Sequence, residues 1–523
     1  MALLLLLALL SGAVLPFAFS PFFWWWIAPL AVAVHAALLI GRSQSGAAWI
    51  GFAHGLGLFG VGVSWVYESF AFNHMGPAMA LPMTFGFVAF LALYPALLDW
   101  LTIRLFGRSS SALLLLVVLP AAWVLCEWLR GWLLSGFPWL QLGYTQVDGP
   151  LRGLLPFTGV LGVSWLIALS GAVFAWLGLQ LLRVVRTQRG ALNLRRVRPP
   201  STPVLVRMLV PGLALVLAWS CAWSLAGLEL TRADGEPLRV ALVQGNIPQD
   251  QKWLPEMREP TLRRYVILSR RHFDADLIVW PETAIPGEYH RMRPFIEALD
   301  EEARIADTAV LVGAPLREPS DGRALNSVFL IGTERGRYDK RHLVPFGEFL
   351  PLDGLLRPLA ERFSVRAADF SDGAPTQRPL QVRGHRFAVF ICYEIAFANE
   401  VAGALPESSF LVTVSNDAWF GTSIGPHQHF QIARARALET GRFLVRATNT
   451  GISGIIDDRG RALVRAPQFE PFALDYDVQP RRGATPYVVL GNWPVLGLCV
   501  LLLSVAWWCR GGLNVRHGSP SPG

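Results

Sequence analysis

The feature that most constrains this chain is a series of apolar runs, each near the ~20 residues that a helix needs to cross a bilayer. The runs predict eight spans, near residues 2–19, 22–40, 47–66, 79–103, 111–128, 157–182, 208–227 and 487–509. Most acidic residues lie between the last two. We therefore predict a multi-span α-helical membrane domain with one large water-soluble domain, divided as 1–227 (seven spans), 228–486 (soluble), 487–509 (last span) and 510–523 (tail).

The first apolar run, residues 1–19, also has the length of a signal peptide. No basic residue precedes it, and a second apolar run follows at once with no clear cleavage site. We therefore favour a first membrane span over a cleaved leader.

The basic residues predict the orientation of the chain. The loop from Arg183 to Arg207 holds seven arginines and no acidic residue, which is typical of a cytoplasmic loop. Alternation of the spans places the tail on the same side and the soluble domain on the far side. The net charge of +8 is therefore an orientation signal, and no nucleic-acid partner is expected.

The soluble domain alternates apolar strand-like runs with helical patterns. The runs "RVALVQGNI", "DLIVWPETAI", "AVLVGAP" and "RFAVFICYE" are continuous rather than alternating, which is typical of strands buried on both faces. This pattern predicts an α/β domain whose sheets are covered by helices. Residues 353–378, with Pro, Gly and charge, are expected to form a long loop or lid.

Cys392 is the only cysteine in the polar part of the chain; the other four lie in apolar segments. On the far side of a bacterial inner membrane, paired cysteines tend to form disulfides, but a lone cysteine has no partner in its own domain. Cys392 is therefore either an inert buried thiol or a reactive one.

Two other reactive groups favour the reactive interpretation. Glu282 follows a predicted strand in "WPETAIP", and Lys340 lies in "YDKRHLVPFGEFLP". A thiol nucleophile, a carboxylate base and an ammonium that stabilises an oxyanion suit acyl transfer through a covalent intermediate. Lys252 and Lys340 are also the only lysines among 46 Lys and Arg residues, so lysine is a departure from the chain's usual cation.

Two further motifs concern charge pairing and metals. Glu348 lies in an apolar loop, where an unpaired carboxylate is costly, so we expect it to pair with Lys340. His427 and His429 have the spacing of two ligands, but no cysteine or carboxylate cluster joins them and they open a helical stretch. We predict no metal site and no cofactor.

At this point the chain resembles the nitrilase (carbon–nitrogen hydrolase) superfamily and, more narrowly, the apolipoprotein N-acyltransferase family. The matching segments are "QGNIPQDQKW", "WPETAIP", "YDKRHLVPFGEFLP", "ICYEIAF", "VSNDAWFGTSIGPHQH" and "ARALETGRFLVRATNTGISGIID". The resemblance implies an α-β-β-α sandwich for the soluble domain and a Glu-Lys-Cys triad within it.

The resemblance also implies a role for each site residue. Glu282 would be the general base, Lys340 would stabilise the intermediates and Cys392 would carry an acyl thioester. Support or oxyanion contacts would come from Glu348, Tyr393 and Glu394. Substrate contacts would come from Trp253, Asn326 and Trp419.

The family implies a reaction and a location. A phospholipid acyl donor would acylate the α-amine of the diacylglyceryl-modified N-terminal cysteine of a lipoprotein, in a ping-pong scheme. The protein would be a multi-pass protein of the bacterial inner membrane, with a periplasmic catalytic domain and a cytoplasmic C-terminus. We expect a monomer.

Two other functions fit part of the pattern. A membrane-anchored amidase or nitrilase would use the same triad with water as the acceptor, but an anchor needs one span rather than eight. A transporter or lipid-binding scaffold would usually carry charged residues inside its spans, and these spans are nearly free of them, with Asp99 and Glu127 near span ends.

Overall fold

The computed structural model describes residues 1–72, 76–190, 202–354, 357–358 and 369–514, with no side-chain description at 186–190, 202–208 and 511–514. The chain forms two compact units. One holds Met1–Ser64, Thr84–Leu228 and Leu490–Gly523, and the other holds Trp65–Met83 and Glu229–Val489. Parts of three predicted segments lie outside the described residues, namely 355–356 and 359–368 of the lid, 191–201 of the arginine-rich loop and 515–523 of the tail.

The first unit is built from helices, one near each predicted span. Their bounds are Ala2–Val14, Ile27–Leu39, Gln44–Gly62, Gly76–Phe106, Ser111–Arg130, Leu155–Gly190, Thr202–Leu225 and Trp493–Asn514. Among described residues, four are long and apolar enough to cross a membrane, namely Gly76–Phe106, Ser111–Arg130, Pro150–Val185 and Trp493–Arg510. A multi-span helical domain follows from this, while the count of eight spans stays a prediction.

The two acidic residues of these helices are buried and paired. Asp99 lies against His35, with 3.3 Å between Asp99 Oδ1 and His35 Nε2. The Glu127 carboxylate accepts hydrogen bonds from Trp123 Nε1 (3.0 Å) and the Leu142 backbone N–H (2.9 Å). Both acidic side chains therefore face protein interior, as ionisable groups in membrane helices usually do.

The second unit contains two six-stranded sheets. The first sheet comprises β2 (Leu238–Gln244), β3 (Leu277–Val279), β4 (Ala309–Arg317), β5 (Ala324–Gly332), β6 (Gly336–Asp339) and β13 (Phe472–Val478). The second comprises β7 (Leu380–Val382), β8 (His385–Ile391), β9 (Phe410–Ser415), β10 (Leu444–Thr448), β11 (Gly454–Ile456) and β12 (Ala462–Arg465). The strand order is β13-β2-β3-β4-β5-β6 in the first sheet and β12-β11-β10-β9-β8-β7 in the second. A separate ribbon pairs β1 (Arg232–Ala233) with β14 (Arg481–Arg482).

The sheets pack face to face because their interior strands carry apolar residues on both faces. Val240 and Leu242 of β2 belong to a core shared with strands of the second sheet, while Ala241 and Val243 pack on the other side of their own sheet. The period of two residues in a strand produces this division.

Helices cover the two outer faces. Those on the first sheet are Pro255–Ser269 and Arg293–Ile305, and the second sheet is covered by Gly425–Thr440. Shorter helices are Val66–Phe70, Ala398–Gly403 and Pro486–Leu490. The predicted nitrilase-like α-β-β-α sandwich is therefore confirmed.

Strand direction positions the candidate site. β2, β3 and β4 are parallel, as are β8, β9 and β10, so their carboxyl ends meet at one edge of each sheet. Glu282 follows β3, Lys340 follows β6 and Cys392 follows β8.

Candidate active site

Glu282 is fixed by donors from both sheets. Its Oε1 accepts a hydrogen bond from Asn326 Nδ2 (2.8 Å) on β5, and its Oε2 accepts from the Asn416 backbone N–H (2.9 Å) just after β9. Lys340 Nζ lies 3.4 Å from Oε1. The carboxylate is thus held in one orientation at the strand ends, with 9% of the side chain exposed.

Lys340 lies between two carboxylates and is almost fully buried. Its Nζ is 2.8 Å from Glu348 Oε2 and 3.4 Å from Glu282 Oε1, so the expected pairing with Glu348 is present in the structure. Burial alone would lower the pKa of Lys340, but Glu348 and Glu282 outweigh it and raise the pKa above its usual value. Lys340 therefore stays charged, which suits it to stabilise an anion rather than to exchange protons.

Asn326 joins the two carboxylates. Its Nδ2 donates to Glu282 Oε1 and to Glu348 Oε1 (3.0 Å), and both partners only accept hydrogen bonds. The amide orientation follows from this, because a carbonyl oxygen facing two carboxylates would be repelled. Asn326 Oδ1 is then a buried acceptor with no hydrogen-bond partner in the described part of the chain.

Cys392 begins the turn that follows β8, with a φ of +55°. This left-handed conformation is uncommon for a non-glycine residue and often marks a functional site. Burial raises the pKa of the Cys392 thiol, and the neighbouring Glu282 carboxylate raises it further, against the opposing effect of Lys340. The resting thiol is therefore neutral and needs a base to become a nucleophile.

Glu394 connects the nucleophile's turn to the segment after Lys340. Its carboxylate accepts hydrogen bonds from the Ile391 N–H (2.6 Å), the Arg341 N–H (2.7 Å) and the Tyr338 hydroxyl (3.0 Å). Burial raises the pKa of Glu394 to about 6. Glu394 is thus fully buried and joins these two segments, and its supporting role in catalysis stays a prediction.

The other residues expected around the site lie at different depths. The ring of Tyr393 packs against His342 and Phe397, with centroids 5.7 and 5.0 Å away. Trp253 is half exposed, and Trp419 is half buried on the turn Asp417–Phe420. No described hydrogen bond or ring contact joins Trp253 or Trp419 to the triad, so their substrate contacts stay predictions.

Sequence reasoning missed a buried network behind Cys392. His429 Nε2 donates to the Cys392 carbonyl (3.1 Å), and its Nδ1 lies 3.2 Å from Asp417 Oδ1 and 3.0 Å from Arg446 Nη2. Arg446 also pairs with Asp417 Oδ2 at 2.8 Å. Burial opposes the ionised form of Asp417, but Arg446 and His429 outweigh it and lower its pKa. His429 is therefore part of this network, and no group of three or more His, Cys, Asp or Glu side chains among the described residues is placed to hold a metal ion.

Sequence reasoning also missed Lys252 as a site residue, although it noted that Lys252 is one of only two lysines in the chain. Its Nζ donates to Thr283 Oγ1 (2.5 Å) and lies 3.4 Å from the Glu282 backbone carbonyl. Only 2% of Lys252 is exposed. Both lysines of the chain are therefore buried beside Glu282.

Comparison with family models gives two matches. Residues 11–173 match the apolipoprotein N-acyltransferase N-terminal domain, and residues 239–487 match the carbon–nitrogen hydrolase domain. The second match includes all the residues that form the site described above.

Individual relatives match over nearly the whole chain. An apolipoprotein N-acyltransferase of Methylococcus capsulatus is 46% identical, covering 96% of this chain and 95% of that protein. The Pseudomonas aeruginosa protein of the same name is 40% identical, with 98% and 96% covered. A nitrilase-superfamily structure from Saccharomyces cerevisiae aligns at 16% identity with a TM-score of 0.38, covering 48% of this chain and 93% of that one.

Proposed function

The chain belongs to the apolipoprotein N-acyltransferase family, and from this premise we propose that it acylates lipoproteins through a thioester on Cys392. A fatty acyl chain would pass from a membrane phospholipid to the α-amine of the diacylglyceryl-modified N-terminal cysteine, which matures the lipoprotein. The observation that carries the proposal is that Glu282 and Lys340 lie 3.4 Å apart in a buried cluster with Glu348, and that both are near enough to Cys392 to affect the pKa of its thiol.

In the first half-reaction, Glu282 takes the proton of the neutral Cys392 thiol, and the thiolate attacks the ester carbonyl of the phospholipid. The tetrahedral intermediate places a negative charge on the former carbonyl oxygen. The Lys340 ammonium stabilises this charge together with backbone N–H groups, among which we propose that of Tyr393. Glu282 then returns the proton to the departing lysophospholipid alcohol, leaving an acyl thioester.

In the second half-reaction, the lipoprotein's α-amine attacks the thioester. An α-amine has a pKa of about 8, so a useful fraction is neutral near pH 7. Glu282 takes the proton that the amine loses, and collapse of the intermediate forms the amide and releases the Cys392 thiolate, which regains that proton. Asn326 Oδ1, an acceptor beside Glu282 with no hydrogen-bond partner among the described residues, is suited to hold an N–H of the incoming amine.

The chain is a bacterial membrane protein, and we propose the inner membrane, eight spans and a periplasmic catalytic domain. The support is the run of arginines between Arg183 and Arg207, which favours the cytoplasm. A cytoplasmic C-terminus and a monomer complete the proposal. A reporter that is active only in the cytoplasm, fused after residue 523, tests the orientation, since a periplasmic C-terminus would leave it inactive.

The deciding experiment is the intact mass of the full-length protein after incubation with phospholipid alone. We expect the wild type to gain a fatty-acyl mass that hydroxylamine removes, and Cys392→Ala to gain none. Cys221→Ala is the matched control, because Cys221 is an exposed cysteine outside the catalytic unit and its loss should leave the adduct in place.

Other outcomes point elsewhere. Accumulation of free fatty acid with no acyl-enzyme would favour the hydrolase, in which water is the acceptor. An adduct that persists in Cys392→Ala would contradict the assignment of the nucleophile.

A further inference from the structure

Lys252 is a second buried lysine in the active site, and the triad chemistry gives it no role. It lies in the segment between β2 and the helix Pro255–Ser269. Its ammonium bonds to Thr283 Oγ1 and approaches the carbonyl of Glu282, the residue before it. Thr283 has a φ of +47°, so Lys252 stabilises the uncommon turn from which the Glu282 side chain projects.

The segment that carries Lys252 is fixed to the same site from a second direction. Asn416 Nδ2 donates to Gln249 Oε1 (2.7 Å), three residues before Lys252. The backbone N–H of Asn416 donates to Glu282 Oε2. Lys252, Gln249 and Asn416 thus form one connected shell around Glu282.

The charges at the centre of the site balance only when Lys252 is counted. Glu282 and Glu348 are two buried carboxylates, and Lys340 supplies one positive charge between them. A buried charge without a partner is costly, so a site with one ammonium would favour uptake of a proton. The Lys252 ammonium supplies the second positive charge.

We propose that Lys252 is a positioning residue and the second counter-charge of the active site: it holds the turn that carries Glu282, and its positive charge favours ionisation of the Cys392 thiol. This inference rests on the proposed role of Glu282 as the general base. Loss of the Lys252 charge would make ionisation of the Cys392 thiol harder. This effect moves the reactivity of Cys392 to higher pH.

Two other acidic groups near Cys392 have cations of their own. Asp417 pairs with Arg446 and contacts His429. Glu394 accepts several hydrogen bonds and has Arg341 among its favourable charge partners. Among the described residues, Lys252 is thus available to offset the second central carboxylate.

Burial gives the proposal a distinctive pH range. Desolvation lowers the pKa of Lys252 to about 8, with Glu282 opposing the shift. Lys252 is charged below this pH and neutral above it. Its effect on Cys392 should therefore be present near neutral pH and fade in alkaline solution.

The test is the rate at which iodoacetamide alkylates Cys392 in the full-length protein, followed by peptide mass spectrometry across the pH range. This measurement needs no lipid substrate. Lys252→Arg keeps the charge, Lys252→Gln keeps a hydrogen-bond donor without the charge, and Lys252→Met removes both. Arg258→Met removes an exposed charge from the adjoining helix and serves as the matched control.

We expect the alkylation curves of the Lys252→Gln and Lys252→Met variants to shift to higher pH by about 1–3 units, the usual effect of losing a neighbouring opposite charge. These curves should converge on the wild-type curve in more alkaline solution, as Lys252 loses its charge. Lys252→Arg should retain the wild-type curve near neutral pH, and Arg258→Met should match the wild type throughout.

A Gln variant that melts like the wild type and has an unshifted curve would overturn the counter-charge. An equal loss of alkylation rate in all three variants, with no shift of the curve along the pH axis, would also overturn the counter-charge. That result would show only that the site requires the shape of lysine. Acylation by phospholipid is assayed in parallel. If the wild type forms no acyl-enzyme while the alkylation curves shift as expected, the proposed function fails and the counter-charge stands.

Discussion

Glu348→Gln is nearly isosteric, yet the structure gives it no acceptable amide orientation. Glu348 Oε1 accepts from Lys340 Nζ (2.9 Å) and Asn326 Nδ2 (3.0 Å). Its Oε2 accepts from the Val344 N–H (2.8 Å) and also lies 2.8 Å from Lys340 Nζ. Either orientation of a glutamine amide therefore turns its NH₂ group toward two donors.

The cost follows from those contacts. Each buried group left without its hydrogen bond costs about 1–3 kcal/mol, so two donors cost roughly 2–6 kcal/mol before the site relaxes. Lys340 also loses its nearer carboxylate and should shift toward Glu282. Displacing the ammonium from the oxyanion should slow acylation about 10²–10³-fold, the usual effect of removing one such donor.

The assay is single-turnover acylation by phospholipid, read by intact mass, together with thermal denaturation in detergent. Glu259→Gln is the matched control, because Glu259 is exposed on the helix Pro255–Ser269. It should leave both measurements unchanged. A Glu348→Gln protein that acylates within a few fold of the wild type, at the wild-type melting temperature, would refute the reasoning.

Two further changes test the supports of Cys392. Glu394→Gln should lower stability by about 1–3 kcal/mol and slow acylation, because its NH₂ group must face a backbone donor such as the Ile391 N–H; unchanged denaturation would contradict this. His429→Phe keeps a ring but loses the hydrogen bond to the Cys392 carbonyl, and should slow acylation by up to ~10²-fold through misplacement of the thiol. A wild-type single-turnover rate would show that Asp417 and its partners hold Cys392 without the imidazole.

The sequence predicted the interior strands of the soluble domain better than its edges. β2, β4, β8 and β9 are buried on both faces, and continuous apolar runs marked them. β13 is partly exposed and its sequence "FALDYDV" mixes charge with apolar residues, so no simple pattern indicated it. In "DLIVWPETAI" the strand covers only Leu277–Val279, because the chain turns at Pro281 to Thr283.

The site was predictable where a reactive residue directly follows an apolar strand. Cys392 follows β8 immediately, and Glu282 and Lys340 also lie just beyond strands. Asp417, His429 and Arg446 could not be recognised in this way. Their charges lie inside the protein, where only their mutual contacts make burial tolerable, and those contacts join residues far apart in sequence.

The protonation states of the buried groups separate the roles within the triad. Lys340 stays charged because Glu348 and Glu282 outweigh its burial, so it cannot compete with Glu282 for the thiol proton. Cys392 stays neutral at rest because burial and Glu282 raise its pKa. A neutral thiol is a poor target for oxidants, which attack the thiolate. In the proposed mechanism the nucleophile therefore forms only when Glu282 takes the proton, with Lys340 already in place to stabilise the charge that develops on the substrate.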